Sequence, residues 1–503
     1  MSPIQLLSVI QTASFLNNRY LRSYWSLFKK IFEEYRPNQV ENINPLFDYF
    51  IYKEYGIILI ENHKKSINDF ELKNLSLEVY QENTIYNAIM NNDIKSLILF
   101  TEDENFDKDQ VLESDYFPDT LEKYINDKSN IIDDFFEPWI YFQYTLLDIC
   151  CYYGAVDCFK LLRSKFNSEI TETCLHFSFL SGNPDIMNEC LKYQKPDETC
   201  MEYAIMSHNI DFITYLMNGY NLKIDLNQCC KYNNYEAFFV YLDQTNDINS
   251  CFIYSIVYNI PILFRYFLSH GANVNVTYLD NPLIIYTVMK NYKEFAELLV
   301  AHGAYVNAKN IDNRTALHYA AKNNNKELAE ILILNGTKVN ERDKDGETPL
   351  HWAAENNSKE TAEFLISCDA DVNMKDNYQR TALHLAARNN CKEMTVLLII
   401  HGAEINAKNE LGRTPLHYTA ENNSKETAEI LISHRADINL KDINGWTVLH
   451  HAVYYMSQET IEVLVSHGIN INAKSAAGLT ALIIAKNCGF NFLVTFLKSN
   501  GAK

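Results

Sequence analysis

Apolar residues in the C-terminal half fall into pairs of short helical stripes. In "RTALHYAAKNNNKELAEILILNGTKVNERDKDG", Arg314 to Gly346, Leu317, Ala320 and Ala321 mark one helix, and Leu328, Ile331 and Leu332 mark a second. Polar "NNN" separates the two, and a polar stretch leads to the next pair. The pattern returns every 33 residues, with Thr315, Thr348, Thr381, Thr414, Thr447 and Thr480 in one register. His318, His351, His384, His417 and His450 follow five of these threonines three residues later, and Ile483 replaces the sixth. Weaker copies begin near Thr84 and resume at Thr145 with "TLLDICCYYGAVDCFKLLRSKF", then recur at about 25–29 residues. The shortfall lies between helix pairs, so the projecting loop is what shortens. The copy from Pro282 to Asn310 already has full length.

The first 82 residues lack this repeat. Ser2-Pro3 can open a helix. Tyr20, Tyr24, Leu27, Phe28, Ile31, Phe32 and Tyr35 form an aromatic helical stripe that Pro37 ends. "PLFDYFIYKEY" follows from Pro45 and closes at Gly56. These stripes are expected to pack on the first repeat, because the end of a stacked array exposes an apolar face. Residues 102–137 are acidic, contain Pro118, and read as a surface insertion and the first site of proteolysis.

Between the helices of each regular unit stand Asn324, Asn357, Asn390 and Asn423, the residue type that best tolerates a left-handed backbone after glycine. Gly489 takes that place in the last unit. Gly303, Gly336, Gly402 and Gly468 follow the second helices, where Asp369 and Arg435 depart from the rule. Gln379 departs in the same way from the loop glycines Gly346, Gly412, Gly445 and Gly478. Local softness is expected at these three positions.

A 33-residue unit with a T-x-L-H-x-A-A core resembles the ankyrin repeat. The resemblance implies an all-α solenoid of helix-turn-helix pairs with short β-hairpin loops, about thirteen pairs behind a small helical N-terminal cap. It also implies that Thr315, Thr348, Thr381, Thr414 and Thr447 cap the first helices, while His318, His351, His384, His417 and His450 bond neighbouring backbone. Residues of roughly 80–280 resemble the divergent ankyrin-like domain of unknown function found ahead of regular repeats in large ankyrin families of unicellular eukaryotes. "CCYYGAVDCFKLL", "FSFLSGNPDIM" and "FLSHGANVN" carry that second likeness, which attaches no activity. The organisation expected is 1–82, a helical N-terminal region; 83–280, divergent repeats; and 281–503, regular repeats.

The formal net charge of −20 argues against nucleic-acid backbones and anionic membrane surfaces as partners. No segment approaches the ~18 consecutive apolar residues of a membrane span. "MSPIQLLSVIQTASF" lacks the basic start of a leader peptide. Twelve cysteines without a C-x-x-C fit a reduced, intracellular protein that uses cysteine as a small apolar residue. The cytoplasm is the expected setting; no basic cluster recommends nuclear import, and the nucleus stays open. There is no P-loop, G-x-S-x-G, zinc spacing or G-x-G-x-x-G, so neither enzyme activity, cofactor, metal nor small-molecule substrate is expected. Stacking at ~8–10 Å keeps the repeated histidines too far apart to share one ion.

The expected partners are other proteins, bound on the concave face of loop tips and inner helices. Tyr378, Arg380, Arg388, Arg413, Trp446, Tyr454 and Tyr455 are the candidate contacts, a basic and aromatic set suited to an acidic, apolar client. Replacing Arg380 and Trp446 together is expected to weaken binding and leave the fold intact. The competing function is an adaptor or regulatory subunit that recruits a client to an enzyme, such as a ubiquitin ligase or kinase, through residues 1–82.

Overall fold

Most helix pairs begin where a short polar side chain meets an apolar run, and each described pair turns back through one left-handed residue. The computed structural model describes residues 7, 10, 11, 21–35, 43, 45–72, 79–113 and 143–503. These fall into two compact units, Met1–Asp247 and Ile248–Lys503.

In the first unit, helices Leu21–Tyr35, Pro45–Tyr55 and Lys64–Leu72 enclose Trp25, Phe28, Phe47, Tyr49, Phe50 and Phe70. Trp25 stacks on Phe28 at 5.7 Å between centroids, and Phe28 meets Phe47 at 4.8 Å. The aromatic stripes therefore close on one another as a core of their own. Buried Asp48 fixes the following loop by accepting the Leu59 and Ile60 N–H groups at 2.9 and 3.1 Å and by meeting His63 Nδ1 at 2.9 Å. The Ser2-Pro3 start lies outside the described residues.

Among the described residues five helix pairs follow, from Ile85–Met90 with Ile94–Thr101 to Leu226–Lys231 with Tyr235–Thr245. Thr84, Thr145, Thr171, Asp197 and Asp225 cap their first helices. Residues Asn92, Gly154, Gly182, His208 and Asn233, all at positive φ, turn the chain between the two helices. Val111–Glu113 pairs antiparallel with Gln143–Thr145, Val111 opposite Thr145. Residues 102–113 of the acidic stretch belong to the described structure, the last three in this strand; the rest of it, with its expected cleavage site, lies outside the described residues.

The second unit holds eight pairs, from Ile248–Val257 with Pro261–Ser269 to Ala481–Asn487 with Asn491–Ser499. Ala320, Ala321, Ala353, Ala354, Ala386 and Ala387 are fully buried, which keeps the inner helices thin enough for neighbours to close. Asn324, Asn357, Asn390 and Asn423 lie at φ 51 to 54°, and Asp369, Gln379 and Arg435 hold φ 66, 59 and 74° without glycine. Only the first loop forms a strand pair, Thr277–Tyr278 with Asn281–Pro282. In later units the expected hairpin reduces to a turn closed by two backbone bonds, such as Asp376 N–H to Arg380 C=O at 2.9 Å and Gln379 N–H to Asp376 C=O at 3.0 Å.

Neighbouring units are laced together twice along the loops. Tip bonds run from Lys344 N–H to Asp312 C=O at 2.9 Å and from Glu410 N–H to Tyr378 C=O at 3.1 Å. Asn307, Asn340, Asn373, Asn406 and Asn439 each accept a backbone N–H from the next unit at 2.8 to 3.0 Å. These side chains satisfy edge donors that the short loops cannot pair internally.

Candidate functional site

The threonine and histidine of each regular unit close a reciprocal box at the start of the inner helix. At the central unit, His384 Nδ1 lies 3.0 Å from the Thr381 backbone nitrogen and 2.9 Å from its hydroxyl. A backbone N–H can only donate, so Nδ1 accepts and the ring proton sits on Nε2. Nε2 then donates to Arg413 C=O of the next unit at 3.2 Å. His318, His351, His417 and His450 repeat the link to Glu347, Arg380, Trp446 and Leu479 carbonyls at 3.1 to 3.3 Å. In the divergent region Asp148 does the same work: it takes the Thr145 N–H at 2.9 Å and the Thr171 hydroxyl of the next unit at 2.7 Å. His384→Ala should lower stability by ~1–3 kcal/mol, since a carbonyl and an N–H lose their partner. His450→Ala, followed by a single unit, should cost less; equal urea midpoints for the two variants would contradict this inter-unit role.

A second column of polar residues, Asn310, Asp343, Asp376, Asn409 and Asp442, was visible as a 33-residue Asn/Asp period but carried no assignment from sequence. Asp376 Oδ1 accepts the Tyr378 and Arg380 N–H groups at 2.9 and 2.7 Å. The remaining side-chain atom reaches an inner-helix residue nine positions on: Asp343 Oδ2 accepts Trp352 Nε1–H at 3.3 Å, Asp442 Oδ2 meets His451 Nε2 at 3.0 Å, and Asn409 Nδ2 donates to Tyr418 at 3.0 Å. In the third unit that residue is Leu385, and Arg380 Nε donates to Asp376 Oδ2 at 2.5 Å instead.

This lattice determines what the candidate contacts can offer. Arg380 also pairs with Glu347 at 2.9 Å, Arg388 with Glu355 at 2.9 Å, and Arg413 with Glu421 at 3.4 Å. Burial, reinforced by Glu355, pushes the Glu347 carboxyl up to about 7 despite Arg380, and burial raises Glu421 as well. Every one of the three guanidinium groups is matched by a carboxylate, so the surface is not basic. Arg380→Ala would strand fully buried Asp376, which corrects the expectation that its loss leaves the fold intact.

The aromatic members behave differently. Half-buried Trp446 lies 5.8 Å from Tyr454, which meets Tyr455 at 5.2 Å, and both tyrosines are exposed at 53% and 42%. Tyr378 stands two units earlier, 47% exposed, with the Arg380 guanidinium 5.0 Å from its ring. Sequence reasoning passed over Leu411 and Ile443, exposed on the tips that follow Tyr378. Their signal was an apolar residue in successive loops where a polar one costs nothing.

Residues 166–241 match a family described as a domain of unknown function (DUF3447). Residues 317–409 and 383–475 match ankyrin repeats (3 copies), and residues 284–333 match ankyrin repeats (many copies). No curated protein matches the chain. Among the described residues no helix is long and apolar enough to cross a membrane. The inter-unit histidine links, the left-handed turns and these matches agree: the chain carries ankyrin repeats over residues 284–475, preceded at residues 166–241 by a match to a domain of unknown function.

Proposed function

We propose that the regular repeats bind a client protein on the face formed by loop tips and inner helices, with Trp446, Tyr454 and Tyr455 as its centre. Ankyrin repeats are a protein–protein interaction module. The observation that carries the finer reading is the edge-to-face aromatic cluster with its two exposed tyrosines, since the fold meets its own hydrogen-bonding needs through the histidine and Asn/Asp columns. Large aromatic side chains dominate binding hot spots. Tyr378, Leu411 and Ile443 extend the apolar surface along the tips, while paired Arg380, Arg388 and Arg413 supply polar contacts at its rim. The client offers an apolar or aromatic segment; the net charge of −20 favours a protein over a nucleic acid.

In this reading residues 1–82, 83–280 and 281–503 are the N-terminal module, the divergent repeats and the client-binding repeats, in a chain without catalytic function. Ten of the twelve cysteines are buried, which supports their use as small apolar residues in a reduced, intracellular setting. Trp446→Ala combined with Tyr454→Ala should weaken client binding by at least about 2 kcal/mol, near 30-fold, with an unchanged melting temperature. Unaltered affinity for every partner of the native chain would refute the aromatic centre.

A second reading, an adaptor with a recruiting surface in residues 1–82, is supported by the separate aromatic core around Trp25, Phe28 and Phe47. Comparing partners of the full chain and of residues 83–503 tests it. The adaptor reading requires the shorter chain to lose one subset while keeping the other.

A further inference from the structure

We propose that His176, Asp197 and Cys200 bind a zinc ion between two successive units of the divergent region. His176 stands on the inner helix Glu172–Ser181, Asp197 caps the next inner helix, Glu198–Met206, and Cys200 lies within the latter's first turn. One ligand atom from each residue, an imidazole nitrogen, a carboxylate oxygen and Sγ, lies within 4.8 Å of the others. Nε2 is 3.2 Å from both Asp197 oxygens. That is close to the edge of a tetrahedron whose metal–ligand bonds are ~2.0–2.2 Å. His176 is steadied by Tyr203, their rings nearly parallel at 6.2 Å, and Asp197 Oδ1 accepts the Cys200 N–H at 3.0 Å. Both ligands are thus oriented before any ion arrives.

Burial is graded across the three. Cys200 is fully buried, the His176 side chain is 18% exposed and that of Asp197 51%. An ion would enter past the carboxylate, reach the sulfur at the bottom, and keep a fourth position open to solvent. One soft sulfur with imidazole and carboxylate suits zinc and disfavours magnesium or calcium. An ion pair and a helix cap account for His176 and Asp197, and the Cys200 sulfur within 4.8 Å of both completes a mixed donor set. Nothing in the order of residues 176, 197 and 200 resembles a zinc motif, because the ligands meet only when two units stack.

Burial holds the Cys200 thiol protonated, well above its usual range. Zinc binding forms bonds to Sγ, Nε2 and a carboxylate oxygen. The thiol proton leaves to solvent and the imidazole proton moves to Nδ1 by exchange, so one proton is released per ion, with no change of oxidation state.

The test titrates Co²⁺ into the metal-free full chain, then displaces it with Zn²⁺. We expect a thiolate-to-cobalt charge-transfer band, one ion per chain, and release of about one proton. Cys200→Ser should abolish the band and weaken zinc by more than about 100-fold, beyond the loss that changes around the ligands bring. His176→Ala, at a partly exposed ring, should weaken zinc similarly while leaving the circular dichroism unchanged, and Cys488→Ser, at an exposed thiol, should leave the band intact. Absence of the band, its survival in Cys200→Ser, or wild-type affinity in His176→Ala would overturn the site.

Discussion

Acidification from pH 7 to pH 4 should unfold the regular repeats, with most of the loss between pH 6.5 and 4. Burial holds His318, His384 and His451 down to about 4 and His417 to about 3, and lowers His351 and His450 as well. An unfolded histidine titrates near 6.5. Between those values the unfolded chain binds protons that the folded chain refuses, so each histidine's contribution is complete above about pH 6.5 and disappears as pH falls toward the folded value. In the five threonine boxes the refusal also has a geometric cause, because a proton on Nδ1 would face the threonine N–H that this nitrogen accepts.

A tenfold difference in proton affinity between folded and unfolded chain is worth about 1.4 kcal/mol, so four such histidines together withdraw on the order of 10 kcal/mol. That is comparable with the whole stability of a typical domain, about 5–15 kcal/mol. Glu347 acts in the opposite sense. Its folded value is raised, so its contribution is present below about 4.5 and is lost as pH rises through about 7; one such group offsets only part of the histidine effect. Urea midpoints followed by circular dichroism at pH 7, 6, 5 and 4.5 should show stability falling by about 5 kcal/mol for each step of one in pH near pH 5. Midpoints that stay level down to pH 5 would mean that the histidines are not buried as neutral acceptors.

The second large effect belongs to Asp376. Asp376→Ala should cost about 3–5 kcal/mol, because it removes one partner of a buried ion pair and leaves two N–H groups unpaired in the same turn. The carboxylate is fully buried and holds the Tyr378 and Arg380 N–H groups as well as Arg380 Nε. Asp376→Asn should cost only about 1–2 kcal/mol. It keeps the acceptor for both N–H groups, as Asn310 and Asn409 do at the equivalent positions, and loses the charge opposite Arg380. Denaturant midpoints of the two variants separate the contributions. An alanine variant within ~1 kcal/mol of the native chain would remove Asp376 from the framework, and an asparagine variant as unstable as alanine would assign the effect to charge alone.

The repeat itself was legible because its requirements are local and recur. A helix start needs a small polar cap, a thin inner helix needs alanine, and a left-handed turn selects Asn or Gly, so Thr381, Ala386, Ala387 and Asn390 announce one unit wherever they occur in register. Asp369, Gln379 and Arg435 were legible as exceptions for the same reason, and the backbone keeps its left-handed form at all three.

What a charged or aromatic side chain does was not legible, since its partner lies one unit away in sequence and a few ångströms away in space. Arg380 reads like a free surface cation until Glu347, 33 residues earlier, is found beside it. Asp376 and Asp345 are the same letter in neighbouring loops, yet only Asp376 is turned inward to be fully buried. The aromatic stripes near the N-terminus announce buried helix faces, and only the packing of Trp25, Phe28 and Phe47 on one another shows which rings meet. Sequence determines the unit because each unit solves the same backbone problem with its own residues; stacking decides which side chains remain available, because burial and pairing are properties of two units together.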